Sequence, residues 1–232
     1  MDFLPAGVLR ERYEVFGHFY SVRVAPGRVV ACRSVLEIVG REKAGGRSAG
    51  LSGRKPDAIV LMMNPGSSRP VGAEGERIDR RAIGRLGCAL VPAEPDMTQY
   101  QVMRLMRGCG WCHVRILNLS DLRCPKSHEF VALYRELEAE HGFDGHSVFS
   151  DRRRGELAWK LGEGAPVLRA WGTSPGLDPL IGRCLARLDD RGGVGGLLKE
   201  GTTDKFYHPL PPQQAGQRAW VERVVEQWRK GW

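Results

Sequence analysis

The sequence has no run of about 18 apolar residues, the length that a membrane-spanning helix needs. Its first residues show no basic stretch followed by an apolar core, so we expect no secretory signal. The six cysteines are scattered and do not resemble a disulfide framework. No internal repeat is visible. These absences predict a globular, cytoplasmic protein that does not enter a membrane.

What the sequence does have is an excess of positive charge. Its 232 residues, enough for one domain of moderate size, include 35 Lys and Arg against 27 Asp and Glu, a formal net charge of +8. A basic balance favours a polyanionic partner such as nucleic acid, although it carries no information about the fold.

Apolar runs and helical spacing predict alternating strands and helices. Buried strands are predicted in residues 58–65, 113–123 and 165–176, with a short strand before 206–212. Helices are predicted over 97–109 (capped by Thr98), 128–142, 153–164, 178–190 and 215–230. Such alternation is typical of an α/β domain with a mostly parallel sheet.

The first 57 residues are predicted to pack on this core as an extension. A hairpin is expected with strands at 19–24 and 29–39, around a Pro-Gly pair. Residues 41–56 are rich in Gly, Ser and positive charge, which predicts a flexible loop, either solvated or in contact with DNA. Residues 67–96 remain unassigned. The expected organisation is one domain, with 1–57 packed on 58–232.

Polar residues follow each buried strand. They are Asn64-Pro65-Gly66, Asn118 with its neighbours, Trp171-Gly172-Thr173-Ser174 and His208-Pro209. Because the carboxyl ends of parallel strands share one edge, these residues are expected to line one crevice. Taken singly, Asn-Pro-Gly is more often a simple turn, and a lone His is more often a core residue.

Four motifs occur in a fixed order: MMNPG, RILNLSDL, VLRAWGTS and YHPLPP. The ordered set resembles the uracil-DNA glycosylase superfamily, particularly its mismatch-specific and single-strand-selective branches, over residues 58–230. It is also similar to an uncharacterised bacterial family with the same pattern. The resemblance implies a three-layer α/β/α fold with a central four-stranded, mostly parallel sheet.

The resemblance also implies roles. Asn64 would position the attacking water, and His208 would stabilise negative charge on the pyrimidine O2. Asn118 would read the edge of the flipped base, next to Met63 and Gly66. Strictly uracil-specific enzymes have a Tyr where Gly66 stands, so we expect this pocket to accept pyrimidines substituted at C5. Members that remove hypermodified cytosine from phage DNA make antiviral defence an alternative to DNA repair.

A further group of residues is predicted to contact DNA, and for Thr173, Ser174 and Lys205 ordinary turn chemistry is the equally weighted alternative. The whole group is Ser67, Ser68, Thr173, Ser174, Lys205, Pro212 and Gln213. Leu210 or Pro212 would wedge into the helix. The aromatic that stacks on the base is not assigned by any motif, and Tyr100 and Tyr207 are candidates.

Two other features favour structural interpretations. Cys109 and Cys112 form a single C-x-x-C, which we interpret as packed thiols, because no second pair completes a metal site. The run Arg152-Arg153-Arg154 is interpreted as a solvated face. No metal or cofactor is expected.

The sequence therefore predicts a monomeric, monofunctional DNA glycosylase. It would act on a modified or mismatched pyrimidine in single- or double-stranded DNA and leave an abasic site. Two alternatives stay open: a nucleotide or nucleoside hydrolase that acts on free substrates, and a nucleic-acid-binding protein that has the fold without the chemistry.

Overall fold

Nine strands of the described chain form one mixed sheet. The computed structural model describes residues 2–44, 50–162, 164–188 and 193–231. The strands are β1 (Tyr13–Ala25), β2 (Arg28–Gly40), β3 (Ala58–Met62), β4 (Arg69–Pro70), β5 (Glu76–Asp79), β6 (Val91–Glu94), β7 (His113–Asn118), β8 (Val167–Arg169) and β9 (Val194–Gly195).

Helices connect these strands. They are α1 (Ala6–Arg12), α2 (Arg41–Ala44), α3 (Met97–Cys109), α4 (Ser127–Ala139), α5 (Arg154–Leu161), α6 (Asp178–Leu185) and α7 (Gln214–Lys230). Short 3-10 segments occupy Arg80–Arg85, Asp151–Arg153 and Pro175–Leu177. No helix in the described ranges is long and apolar enough to cross a membrane.

The centre of the sheet is parallel. Its four strands lie in the order β7-β3-β8-β9, and each neighbouring pair runs in the same direction. The predicted α/β class is therefore confirmed. The whole sheet is nevertheless mixed, because β2 pairs antiparallel with β7 and continues the sheet through β1 and β6 to β4.

Helices cover both faces of the parallel strands. In β3, Ile59 and Leu61 pack with the helices α4, α5 and α6, whereas Val60 and Met62 pack with α3 and α7. Successive side chains of a strand point to opposite faces, and helices cover both faces, so both sets are buried. The continuous apolar run that predicted a doubly covered strand thus has its expected cause.

The N-terminal hairpin belongs to the sheet itself. It turns at Pro26-Gly27, where Gly27 adopts a φ of +72°, and its strands are longer than the sequence predicted. β2 pairs with β7 from Leu36 opposite Ile116 to Val39 opposite His113. The hairpin is therefore an extension of the central sheet, built on the edge that β7 leaves open.

Several local predictions were wrong. Residues 41–56, expected as a loop, begin with α2, while 45–49 of that segment lie outside the described residues. Arg153, expected on a solvated face, is 1% exposed. Its guanidinium binds Asp121 and Glu156, each at 2.7 Å, because the 3-10 turn directs its side chain inward. The paired acids compensate the cost of burying this charge.

The cap of α3 is also different from the prediction. Asp96 accepts from the backbone N–H of Gln99 at 3.0 Å, and the Gln99 side chain accepts in return from the backbone N–H of Asp96 at 3.3 Å. Thr98 is the second residue of the helix, beyond the cap position from which a side chain accepts from these free N–H groups. The helix thus begins with a reciprocal capping box.

The capping box gives a matched stability test. We expect Asp96→Ala to lower the free energy of unfolding by about 1 kcal/mol, because one N-terminal N–H loses its acceptor. Asp96→Asn keeps an amide oxygen at that place and should stay close to the wild type. Thr98→Ala is the control, measured by urea denaturation alongside the others. A larger loss from Thr98→Ala than from Asp96→Ala would contradict this assignment.

Candidate active site

The main pocket lies at the carboxyl ends of the parallel strands. Its volume is about 480 Å³. The lining residues are Arg33, 62–66, Asp96, Thr98, Gln99, Pro125, Ser127, 171–174, Leu177, His208 and Leu210. Six of the site residues predicted from the sequence meet here: Met63, Asn64, Gly66, Thr173, Ser174 and His208.

Asn64 is held in one orientation. Its Nδ2 donates to the carbonyl oxygens of Leu122 at 3.1 Å and Cys124 at 2.7 Å. An amide nitrogen has two hydrogens, and both are used in these bonds. Oδ1 is therefore the atom left to bind a ligand or a water molecule in the pocket. The site presents a fixed acceptor at this position.

His208 presents the opposite polarity. The backbone N–H of Leu210 donates to Nδ1 at 3.2 Å, which leaves the proton of the neutral ring on Nε2. Burial lowers the pKa of His208 to about 4, so the imidazole is neutral at physiological pH. The side chain is consequently a neutral N–H donor with a fixed tautomer.

Backbone pairing brings His208 to this edge. The N–H of Gly172 donates to the carbonyl of Phe206 at 2.8 Å, and the N–H of Tyr207 donates to Leu197 at 2.8 Å. These bonds tie the segment before His208 to the loop after β8 and to the residues that follow β9. The short strand that the sequence predicted before 206–212 is β9, at Val194–Gly195, and residue 206 itself forms only isolated bridges.

Gly66 combines a turn with open space. Its φ is +61°, and the N–H of Ser68 donates to the carbonyl of Pro65 at 3.2 Å, so the turn interpretation holds. A Cβ placed on Gly66 would meet no atom within 4 Å. The pocket is therefore unobstructed beside this residue.

Asn118 does not line the pocket. It ends β7, is 2% exposed, and its Oδ1 accepts from Arg33 Nη2 at 2.9 Å. The pocket residue at this place is Arg33 of β2, which sequence reasoning missed. The only signal was an Arg-Ser pair inside the apolar run VVACRSVLEIV. Burial lowers the pKa of Arg33 to about 10, so the guanidinium is still a cation at neutral pH.

The predicted DNA contacts divide into exposed and buried residues. Ser67, Ser174, Pro212 and Gln213 are exposed, and Ser174 Oγ accepts from the N–H of Gly176 at 3.3 Å, as a turn residue does. Ser68, in contrast, is 1% exposed.

Lys205 is the clearest departure among these contacts. It is 9% exposed, and its ammonium pairs with Asp178. In this structure Lys205 is therefore engaged within the protein and is not displayed to a phosphate.

Neither aromatic candidate lines the pocket. Tyr100 is buried in α3 with its hydroxyl against Arg10, and Tyr207 is exposed outside the pocket. Trp171 borders the pocket but is completely buried in the core, where its Nε1 donates to the carbonyl of Asp204 at 2.9 Å. Phe206 packs edge-on against it, with 5.5 Å between ring centroids. Trp171 therefore supports the pocket from beneath and presents no open ring face to a ligand.

A Ser-His-Glu chain lies away from the pocket. Ser120 Oγ is 2.9 Å from His146 Nδ1, and His146 Nε2 is 3.1 Å from Glu138. Ser120 and His146 are completely buried, and neither lines the main pocket. Because a nucleophile must reach its substrate, we interpret this chain as a hydrogen-bonded core network.

Cys109 and Cys112 form no disulfide. Both thiols are partly buried, and burial raises the pKa of Cys109 to about 12. Its thiol therefore stays protonated at neutral pH and is a poor nucleophile.

Comparisons with protein-family models, with curated proteins and with solved structures each found no match. The likeness to the glycosylase superfamily therefore stays a prediction that depends on the four motifs in the sequence.

The orientation of Asn64 can be tested with a nearly isosteric change. In Asn64→Asp, a carboxylate oxygen would face two carbonyl oxygens, so we expect unfolding to cost about 1–3 kcal/mol less at pH 7. The deficit should shrink as the pH falls, because the protonated carboxyl can again donate to one of the carbonyls. Urea denaturation over a range of pH measures both effects.

Asn64→Ala is the control for this test. It also loses both hydrogen bonds, but its deficit should not vary with pH, since no new ionisable group is introduced. Equal stability of Asn64→Asp and the wild type at pH 7 would mean that the amide does not donate to Leu122 and Cys124.

Proposed function

We propose that this protein is a monofunctional DNA glycosylase that hydrolyses the N-glycosidic bond of an extruded, modified or mismatched pyrimidine. One observation carries the proposal: a fixed acceptor, Asn64 Oδ1, and a fixed neutral donor, His208 Nε2–H, line the same pocket. Hydrolysis of this bond needs an acceptor that holds water and a donor for the departing base.

The reaction divides between these two side chains. As the bond between C1′ and the base breaks, its electron pair moves to the base and positive charge develops on the sugar. His208 donates to the carbonyl oxygen on which negative charge builds. Asn64 Oδ1 holds a water that adds to C1′ and then loses its proton to solvent. An amide is a weak base, so Asn64 acts by positioning the water.

The size and shape of the pocket are consistent with an extruded base. Its volume of about 480 Å³ is in the range typical of small-molecule sites. Met63, Pro65, Leu177 and Leu210 supply apolar lining. The open space beside Gly66 supports tolerance of a substituent at C5 of the pyrimidine.

Two further features support a DNA substrate and a hydrolytic outcome. The net charge of +8 favours a polyanion over a free nucleoside. No lysine lines the described part of the pocket, so no amine stands ready to form a covalent intermediate with the sugar. We therefore propose that water attacks and that an abasic site is the product.

The proposed activity is tested with oligonucleotides that carry different bases, followed by alkaline cleavage at abasic sites. The wild type should release uracil or a 5-substituted pyrimidine under single-turnover conditions. Asn64→Ala and His208→Ala should each lower that rate by about 10²-fold or more, as expected for groups that stabilise a transition state. The control His128→Ala, whose side chain is 81% exposed, should keep the wild-type rate.

The pattern of failures distinguishes the alternatives. Binding of DNA without release of any base would favour the non-catalytic binder. Hydrolysis of free nucleosides or nucleotides without action on DNA would favour the nucleoside hydrolase.

The neutral state of His208 gives a pH prediction. Because burial lowers the pKa to about 4 from 6.5, base release should not depend on His208 ionisation between pH 8 and about 5. It should change near pH 4, because the proton then gained by Nδ1 faces the N–H of Leu210 and ends the hydrogen bond that orients the ring. Between pH 6.5 and about 4 the unfolded chain binds a proton at this histidine more readily than the folded chain does. His208 therefore lowers the free energy of unfolding as the pH falls through this range.

NMR titration of the imidazole, assigned with His208→Gln, measures the pKa directly. A midpoint near 6.5 for His208 in the folded protein would contradict the neutral-donor role.

A further inference from the structure

Arg33 is an unusual buried cation. Arg33, Arg115 and Arg153 are each at most 2% exposed. Arg115 binds Glu37 at 2.7 Å, and Arg153 binds two carboxylates at the same distance. Arg33 makes no salt bridge with any described residue. Its Nη2 donates to the neutral amide oxygen of Asn118.

The remaining donors of Arg33 are poorly satisfied. Nε is buried and has no hydrogen-bond partner in the structure. A buried cation without a counter-ion is costly, and a buried donor without an acceptor adds to that cost. Because Arg33 lines the main pocket, a ligand in the pocket is in position to supply the missing acceptors.

The other charged and titratable groups nearby do not neutralise Arg33 by contact. Asp96 lines the same pocket, and its charge, like that of Asp121, raises the pKa of Arg33 without contact, whereas Arg123 lowers it. The Asp96 carboxylate caps α3 and forms no salt bridge with Arg33. Asp121 is already bound by Arg153 and by the Tyr20 hydroxyl, both at 2.7 Å. His208 is a neutral donor. A ligand in the pocket therefore meets donors at Arg33 and His208 besides the acceptors Asn64 Oδ1 and Asp96, and Arg33 is the cation among the described lining residues.

We propose that Arg33 makes this pocket an anion site, which holds the departing heterocyclic base through its acceptor edge as the base becomes negative. The ligand class is a planar ring with carbonyl groups next to an acidic ring N–H. The inference rests on the proposed function for the source of the ring, because the same ring could come from DNA or from solution.

The chemistry requires no proton from Arg33. When the N-glycosidic bond breaks, its electron pair passes into the ring and spreads onto the ring nitrogen and the carbonyl oxygens. The guanidinium and His208 Nε2–H then donate to different acceptors of the same anion. Asn118 is a positioning residue, since its carbonyl holds one arm of the guanidinium. A charge-assisted bond strengthens as the acceptor gains charge, so it favours the transition state.

The test compares charged and neutral forms of one ring. 5-Nitrouracil loses its ring N–H in mildly acidic solution, whereas thymine stays neutral over the same pH range. Binding of each free base to the intact protein is measured by calorimetry across this range. We expect the affinity for 5-nitrouracil to rise about tenfold or more on ionisation, as a charge-assisted bond predicts, while that for thymine stays nearly constant.

Variants then assign the effect to one side chain. Arg33→Gln should abolish the preference for the anion, and Arg33→Lys should keep part of it. The control Arg23→Gln removes an arginine whose side chain is 61% exposed on the neighbouring strand, and it should bind as the wild type does. If Arg33→Gln does not fold, the wild-type comparison and Arg33→Lys still decide the question.

The outcomes separate this inference from the proposed function. Equal affinity for the charged and neutral rings, or no binding of either at the highest soluble concentration, would overturn the anion site. An anion preference that persists in Arg33→Gln would overturn the role of Arg33. An anion preference that depends on Arg33, without base release from any DNA, would support the anion site and place its ligand in solution. Base release without that preference would support the glycosylase and overturn the anion site.

Discussion

The pairing of β2 with β7 is the constraint on which the site depends. It joins the N-terminal hairpin to the parallel strands, in a fixed register from Leu36 opposite Ile116 to Val39 opposite His113. Beyond the end of β7 the two segments stay together, because the N–H of Arg33 donates to the carbonyl of Asp121 at 2.9 Å. This contact places the guanidinium of Arg33 in a pocket whose other lining residues all follow β2 in the chain.

Around that pocket each functional side chain has one polar end fixed by the protein and another left for a ligand. Asn64 uses its nitrogen on two backbone carbonyls, and His208 uses Nδ1 on a backbone N–H. Arg33 uses one arm on Asn118. Donors and acceptors that are oriented before a ligand arrives need little reorganisation during reaction, which is the condition for electrostatic stabilisation of a transition state. Backbone groups orient Asn64 and His208, and the side-chain amide of Asn118 orients Arg33.

Some of the site could be predicted from the sequence for a simple reason. Asn64, Gly66, Thr173 and His208 each lie at the carboxyl end of a predicted strand, and parallel strands bring such positions to one edge. The continuous apolar runs identified those strands because burial on both faces removes the usual alternation.

What the sequence could not show depends on contacts between distant segments. Arg33 enters the pocket only because β2 pairs with a strand some eighty residues away in the chain. Lys205 was predicted to contact a phosphate, but its ammonium pairs with Asp178. Arg153 was predicted to be solvated, but it is buried against Asp121 and Glu156. A charged residue carries no sign in the sequence of whether its partner is water, a ligand or another buried charge. The cap of α3 was misassigned over a smaller range, by two residues, because Asp96 and Thr98 are both acceptable cap residues.

Isotope tracing of the attacking water tests the proposed hydrolysis most directly. The protein is incubated in H₂¹⁸O with DNA that carries a 5-substituted uracil, and the masses of the products are measured by mass spectrometry. Hydrolysis of the N-glycosidic bond predicts an intact free base that carries no ¹⁸O, together with an abasic strand that stays uncleaved until alkali is added. Appearance of ¹⁸O on a phosphate, or no release of any base from the DNA, would contradict it.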